Sequence, residues 1–140
     1  LIRKSRGYFW EDTVLKIFKN KNYNVKRFGG PHQIDVQAHK DDISLIISIE
    51  CKSTVGNYCL VPKEQIVRCI DWCNDWKLYH TKMVILAFKF GNKKTGKQRE
   101  QRQFLKIWNM FLKPVDVICM YDGFCKNNIT KKYLWLENFT

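Results

Sequence analysis

Glu50 and Lys52 flank a single cysteine at the end of an apolar run, in the stretch SLIISIECKST from Ser44 to Thr54. A carboxylate and an ammonium are costly in such a place unless something pairs with them. Asp35 lies fifteen residues before Glu50, and Glu11 lies further upstream. Two converging acids suit a hard divalent cation such as Mg²⁺, which prefers oxygen ligands and keeps several waters. Bound to Asp35 and Glu50, it would lower the pKa of a water and offset charge on a phosphate. A lysine beside it orients the attacking water or neutralises charge gained in the transition state. These residue types suit phosphodiester hydrolysis. The plainer alternative is a same-face Glu50–Lys52 pair at an exposed strand end, with Asp35 at a strand edge.

The elements must bring these groups together. The pattern from Ser5 to about Lys19 is helical, with Val14, Leu15 and Phe18 on one face and Ser5 as a cap. Glu11 falls on that same face at 100° per residue, whereas Asp12 points away. A carboxylate in an apolar stripe is rare unless paired or metal-bound. Short strands are expected at Val25 to Phe28 and Ile34 to Lys40, and a long one at Ile43 to Ser53. If Asp41-Asp42 is a two-residue hairpin loop, Lys40 opposes Ile43 and Asp35 opposes Ser48. Asp35 and Glu50 then form a diagonal pair on one face, roughly 7–8 Å apart. A one-residue slip would move Asp35 to the other face.

Pro62 opens a second helix to about Trp76, and Lys82 to Phe90 reads as a fourth strand. A basic loop, GNKKTGKQREQR, runs from Gly91 to Arg102. Phe104, Ile107, Trp108 and Phe111 have helical spacing, which predicts a helix from Gln101 to Leu112, stopped by Pro114. Strands are expected again at Val115 to Tyr121 and Tyr133 to Phe139. The order is α-β-β-β-α-β with an α-β extension: an α/β mixed sheet flanked by helices. No repeat or linker divides residues 1–140, so one domain is expected, with its core at about 3–90 and the extension at 91–140.

The balance of 25 Lys and Arg against 13 acids gives a net charge of +12, which favours a polyanionic partner, nucleic acid before an anionic membrane surface. Arg3, Lys4, Arg6, Lys26 and Arg27 flank the acids in sequence and are candidates for phosphate contacts. Lys93, Lys94, Lys97, Arg99 and Arg102 form a second cluster, suited to an arm on the duplex. No apolar run reaches the ~20 residues that span a bilayer. The six cysteines include no CxxC and read as small apolar core residues in a reducing compartment, implying an intracellular protein, cytoplasmic or nucleoid-associated. His32 and His39 are expected in loop and strand-surface roles. Tyr8, Phe9 and Trp10 could stack on DNA or support a dimer, with core packing expected for at least one. The chain begins at Leu1 rather than Met, as a fragment or trimmed chain would.

RKSRGYFWED (Arg3 to Asp12), VKRFGG (Val25 to Gly30), IDVQA (Ile34 to Ala38), IECKST (Ile49 to Thr54) and VPKEQI (Val61 to Ile66) together resemble the PD-(D/E)xK nuclease superfamily. Within it, the likeness is to archaeal-type Holliday junction resolvases. The resemblance implies a restriction-endonuclease-like αβββαβ core. It implies Asp35 and Glu50 as ligands of Mg²⁺, with Mn²⁺ as a substitute, and the Cys51 backbone carbonyl contributing. Lys52 would be the catalytic lysine. Glu11 would complete the acidic cluster directly or through water, and Gln65 would support the site or contact the phosphate. The implied protein is a homodimer that nicks opposed strands of a four-way DNA junction. A restriction-type or repair nuclease, or a non-catalytic DNA-binding module on the same fold, are the alternatives. The sequence departs from the family in carrying Ile34-Asp35 in place of the family's Pro-Asp, with Pro31 displaced, and in the loop GGPHQ, which lacks the serine these resolvases often carry after their first strand.

Overall fold

In a computed structural model, residues 6–91, 99–107 and 113–139 are described. Helix α1 (Arg6–Asn20) leads to strands β1 (Asn24–Arg27), β2 (Val36–Lys40), β3 (Leu45–Thr54) and β4 (Tyr58–Val61). Helix α2 (Lys63–Asp75) follows, then β5 (Thr81–Phe90), β6 (Gln101–Ile107), β7 (Val117–Met120), β8 (Cys125–Asn127), β9 (Tyr133–Leu134) and β10 (Glu137–Asn138). None of the described helices is long and apolar enough to cross a membrane.

Six strands form the main sheet in the order β1-β2-β3-β5-β6-β10. Only β3 and β5 run parallel in it, joined through β4 and α2. The sheet is therefore mixed and flanked by helices, as the element order predicts, and the fold is the α/β restriction-endonuclease-like arrangement that the resemblance implies. Helix α1 covers one face: Trp10, Val14 and Phe18 pack on Val36, Ala38, Ile47, Ile49 and Ile85. Helix α2 covers the other, setting Cys69 and Cys73 on Ile46 and Val84. Because both faces of β3 are covered, its first seven residues are buried, which accounts for the unbroken apolar run. A four-stranded antiparallel sheet, β4-β7-β8-β9, lies beside α2. Its inward residues Cys59, Val61, Val117, Cys119 and Cys125 pack with Leu86, Phe88, Phe90 and Leu105. All six cysteines are free and buried, as small core residues.

Two expectations are corrected. The hairpin between β2 and β3 has a four-residue turn, so Lys40 pairs with Leu45 and Val36 with Ile49. The register is shifted by two residues from the two-residue-loop expectation. A shift of two preserves the face, and continuing the ladder one step sets Asp35 directly opposite Glu50 rather than diagonal to it. The helix expected from Gln101 to Leu112 is also overturned: Gln101–Ile107 is strand β6, paired along β5. The extension is thus built of strands over its described residues, not α-β. Phe104 faces the α1 layer, while Leu105 and Ile107 join clusters on the opposite face. A strand apolar on both faces loses its alternation, and its Phe104–Ile107 spacing then mimics a helix.

Candidate metal centre at the end of β3

Strand β2 begins at Val36, one step short of Glu50, so among the described residues strand pairing on that side of β3 ends at Ile49. Asp35 fills the gap with its side chain: its Oδ2 accepts the Cys51 backbone N–H at 2.7 Å. The Phe28 N–H in turn donates to the Asp35 carbonyl at 3.1 Å, fixing the chain there. In a strand, the N–H and C=O of one residue project to the same edge. The Cys51 carbonyl therefore faces the side on which Asp35 lies.

Glu50 alternates with Ile49 and Cys51 and so points toward α2, where Cys69 Sγ lies 4.0 Å from its Oε2. It is 4% exposed, which is unusual for a carboxylate. Lys52, two residues on, shares that face and brings Nζ to 3.7 Å from Glu50 Oε1. Asp35 and Glu50 lie within hydrogen-bonding reach of each other, and Glu11 reaches Asp35 from the α1 side. Glu11 is fixed by Arg27, whose Nη2 and Nε donate to its Oε2 at 2.8 and 3.2 Å. The Arg27 guanidinium also lies 3.8 Å from the Tyr8 ring centre and donates to the Tyr8 carbonyl. A cleft of about 530 Å³ opens over this corner, walled by Tyr8, Glu11, Arg27, Gly29, Gly30 and Asp35.

The acids hold their protons tightly. Burial raises Glu50 from 4.5 to about 8, and repulsion by Asp35 adds to the rise, against the attraction of Lys52 and Arg68. Burial likewise raises Asp35, opposed first by the Cys51 N–H bond and then by Lys52. Burial raises Glu11 too, opposed by its bond to Arg27. Acids crowded together out of water repel one another unless a cation joins them.

Among the described residues, no group of three or more His, Cys, Asp or Glu side chains is gathered so as to hold a metal by itself. The donor set is instead two carboxylates, Asp35 and Glu50, with the Cys51 carbonyl on the same edge. That set fits Mg²⁺, which is typically bound by one or two carboxylates and completes its octahedron with water and substrate oxygens. It does not suit zinc in a closed site, and the nearest thiols, Cys51 and Cys69, have pKa values pushed up by burial.

The other candidates fall as follows. Gln65 is in the first turn of α2; its Oε1 is buried and makes no hydrogen bond among the described residues. Lys26 is exposed on β1, with Nζ 5.1 Å from the Phe28 ring centre. Arg6 opens α1. Arg3, Lys4, Lys93, Lys94 and Lys97 lie outside the described residues. Trp10 is core, while Tyr8 and Phe9 are exposed. His32 is in the β1–β2 loop and His39 on β2. Sequence reasoning missed Arg68, which acts electrostatically on both Asp35 and Glu50 and anchors to the Gln33 carbonyl at 3.2 Å. Its spacing could have revealed it: Gln65, Arg68 and Cys69 follow the i, i+3, i+4 rule on one face of α2.

The raised Glu50 pKa yields a stability prediction. Its folded-state pKa exceeds the unfolded value, so its stabilising contribution is complete below about pH 4.5 and is lost as pH rises toward about 8. In EDTA, Glu50→Gln is expected to flatten that fall and to unfold about 5 °C above the parent at pH 8, with the two converging near pH 4. Thermal melts across this range check it; parallel curves would mean that Glu50 is not strained.

No protein-family model matches the chain, and no curated protein is similar to it in sequence. Among solved structures it is similar to Archaeoglobus fulgidus Hjc, a Holliday junction resolvase from an archaeal hyperthermophile. The likeness covers 94% of this chain and 100% of that one, with a TM-score of 0.59 and 12% identity. At that identity the likeness establishes the fold: this chain has the architecture of that resolvase.

Proposed function

We propose that the protein is a metal-dependent, structure-selective DNA endonuclease that resolves four-way junctions by paired nicks, acting as a homodimer with Mg²⁺. The observation that carries this reading is the convergence of Asp35, Glu50 and Lys52 at the open edge of β3, in a chain of net charge +12. Acids beside DNA repel phosphate, and a module that only binds has no use for them. A divalent cation held there supplies Lewis acidity and a more acidic water. Asp35 and Glu50 would hold it, with the Cys51 carbonyl. Lys52 would orient the nucleophile and stabilise charge on the phosphate oxygens. Glu11, held by Arg27, supports the acidic cluster from α1, and Gln65 and Arg68 offer contacts from α2. Lys26 and the basic residues at both ends of the core supply non-specific phosphate affinity.

The test is cleavage of a labelled four-way junction and, separately, of linear duplex with the same arm sequence, each with Mg²⁺ or EDTA. The expected result is symmetric nicks in the junction alone, abolished by EDTA and by Asp35→Ala. Equal cutting of linear duplex would keep the nuclease and remove junction selectivity. Tight junction binding without cutting in Mg²⁺ or Mn²⁺ would instead favour a binding module.

A further inference from the structure

Away from the acids, the protein leaves a group of aromatic rings in water. Trp135 is 81% exposed, Tyr133 55% and Phe124 51%. Tyr133 and Trp135 lie nearly parallel, 25° apart with ring centres at 6.0 Å, and Phe124 meets Tyr133 edge-on at 6.3 Å. The Lys126 ammonium sits 4.8 Å from the Tyr133 ring centre, and Lys131 and Lys132 are exposed in the β8–β9 turn. Exposed aromatic area of this kind is uncommon unless something covers it.

Phe124 and Trp135 border a pocket of about 240 Å³ whose other walls include Gln103, Asp122 and Asn138. Its volume is below that of sites for drug-sized ligands and leaves room for one planar ring. The lining pairs aromatic faces with amide and carboxylate groups that donate to and accept from a heteroaromatic edge. Gly123 has φ +92°, and a Cβ there would stand 3.2 Å from Gln103 Cδ, so the turn closes tightly on the Gln103 amide.

The register relates this pocket to the acids. Lys52 pairs with Phe88, and Phe88 with Gln103. Residues paired across strands share a face. Gln103 therefore lies on the face of Lys52, two strands away, roughly 10 Å at 4.8 Å per strand. Phe88, between them, is buried beneath the second sheet, so a DNA strand that reached both places would pass around the edge of that sheet.

We propose that this pocket takes an unpaired nucleobase, stacked against Trp135 and Phe124 and held at its edge by Gln103. The inference rests on the nuclease reading for its substrate, DNA. The chain's positive charge and Lys126 favour a nucleic acid over an apolar peptide. Base stacking on aromatic side chains tolerates every base, so the pocket selects unpaired over paired nucleotides rather than a sequence.

The test uses the whole protein in EDTA, where no cutting occurs. A duplex carrying one extrahelical 2-aminopurine is compared with the fully paired duplex. Expected are quenching of 2-aminopurine fluorescence on binding and a preference for the extrahelical base of about 5- to 100-fold. Trp135→Ala removes both while affinity for the paired duplex stays within about twofold, since phosphate contacts set that term. Trp135→Phe restores much of the quenching, and Gln103→Ala weakens the preference. Trp135 is exposed enough that its replacement spares the core. Equal quenching in Trp135→Ala, or none at saturation, overturns the pocket while leaving the nuclease reading intact. Absence of binding to any DNA overturns both. A dimer that dissociates in Trp135→Ala, with base preference unchanged, assigns the rings to a second copy of the chain instead.

Discussion

Lys52→Met is expected to lower the single-turnover rate of cleavage by about 10²–10³-fold, the usual loss when one donor to a developing charge is removed. The Lys52 ammonium is 3.7 Å from Glu50 and its side chain is about one quarter exposed, so it meets the buried acid and is also open to solvent. An interaction that strengthens only as charge builds on the phosphate lowers kcat and spares ground-state affinity. Binding of uncut DNA in EDTA should thus change little. Lys52→Arg should recover only part of the rate, because a planar fork replaces a compact point charge. Lys52→Met, unlike Lys52→Arg, also leaves Glu50 without its neighbouring cation, so the acid holds its proton to higher pH and the rate–pH profile moves up. A rate within about threefold of the parent would reduce Lys52 to a pairing partner of Glu50.

Much of this corner was legible because a period of two is robust. Glu50 and Lys52 share a face in any register of β3, and Asp35 joins them in any register that moves by an even number of residues. The hairpin turn was misjudged by two residues, and the acids still met. Glu11 was legible for a similar reason: it breaks an apolar stripe. Its partner was not, since Arg27 lies across a strand-to-helix contact that no local pattern encodes. Strand β6 was misread because burial on both faces erases alternation. The short strands β4 and β8 carry three to four residues each, too few to establish a period. The row Cys59–Cys119–Cys125 across the second sheet follows from their pairing and could not be seen from spacing.

Trp10→Ala is expected to destabilise the protein by about 3–5 kcal/mol, the usual cost of emptying a large aromatic site in a core. Trp10 is 1% exposed, packs on Phe104 at 5.8 Å, and donates its indole N–H to the Ala87 carbonyl at 2.9 Å. That bond spans α1 and β5, the strand beside β3, so it ties the helix bearing Glu11 to the sheet bearing Glu50. Trp10→Phe keeps most of the packing and removes the donor, at about 0.5–1.5 kcal/mol. Denaturant melts of the three proteins separate the two contributions, provided the slope is constant. The functional consequence differs from that of Lys52. Below its unfolding midpoint, Trp10→Phe should keep cleavage near the parent rate, because packing still seats α1. Trp10→Ala frees the helix to shift and should slow cleavage even where the chain is folded, since a displacement of about 1 Å at a reacting group costs up to 10²-fold. If Trp10→Ala costs less than about 1 kcal/mol, α1 is not held by this contact, and Glu11 must owe its position to Arg27 alone.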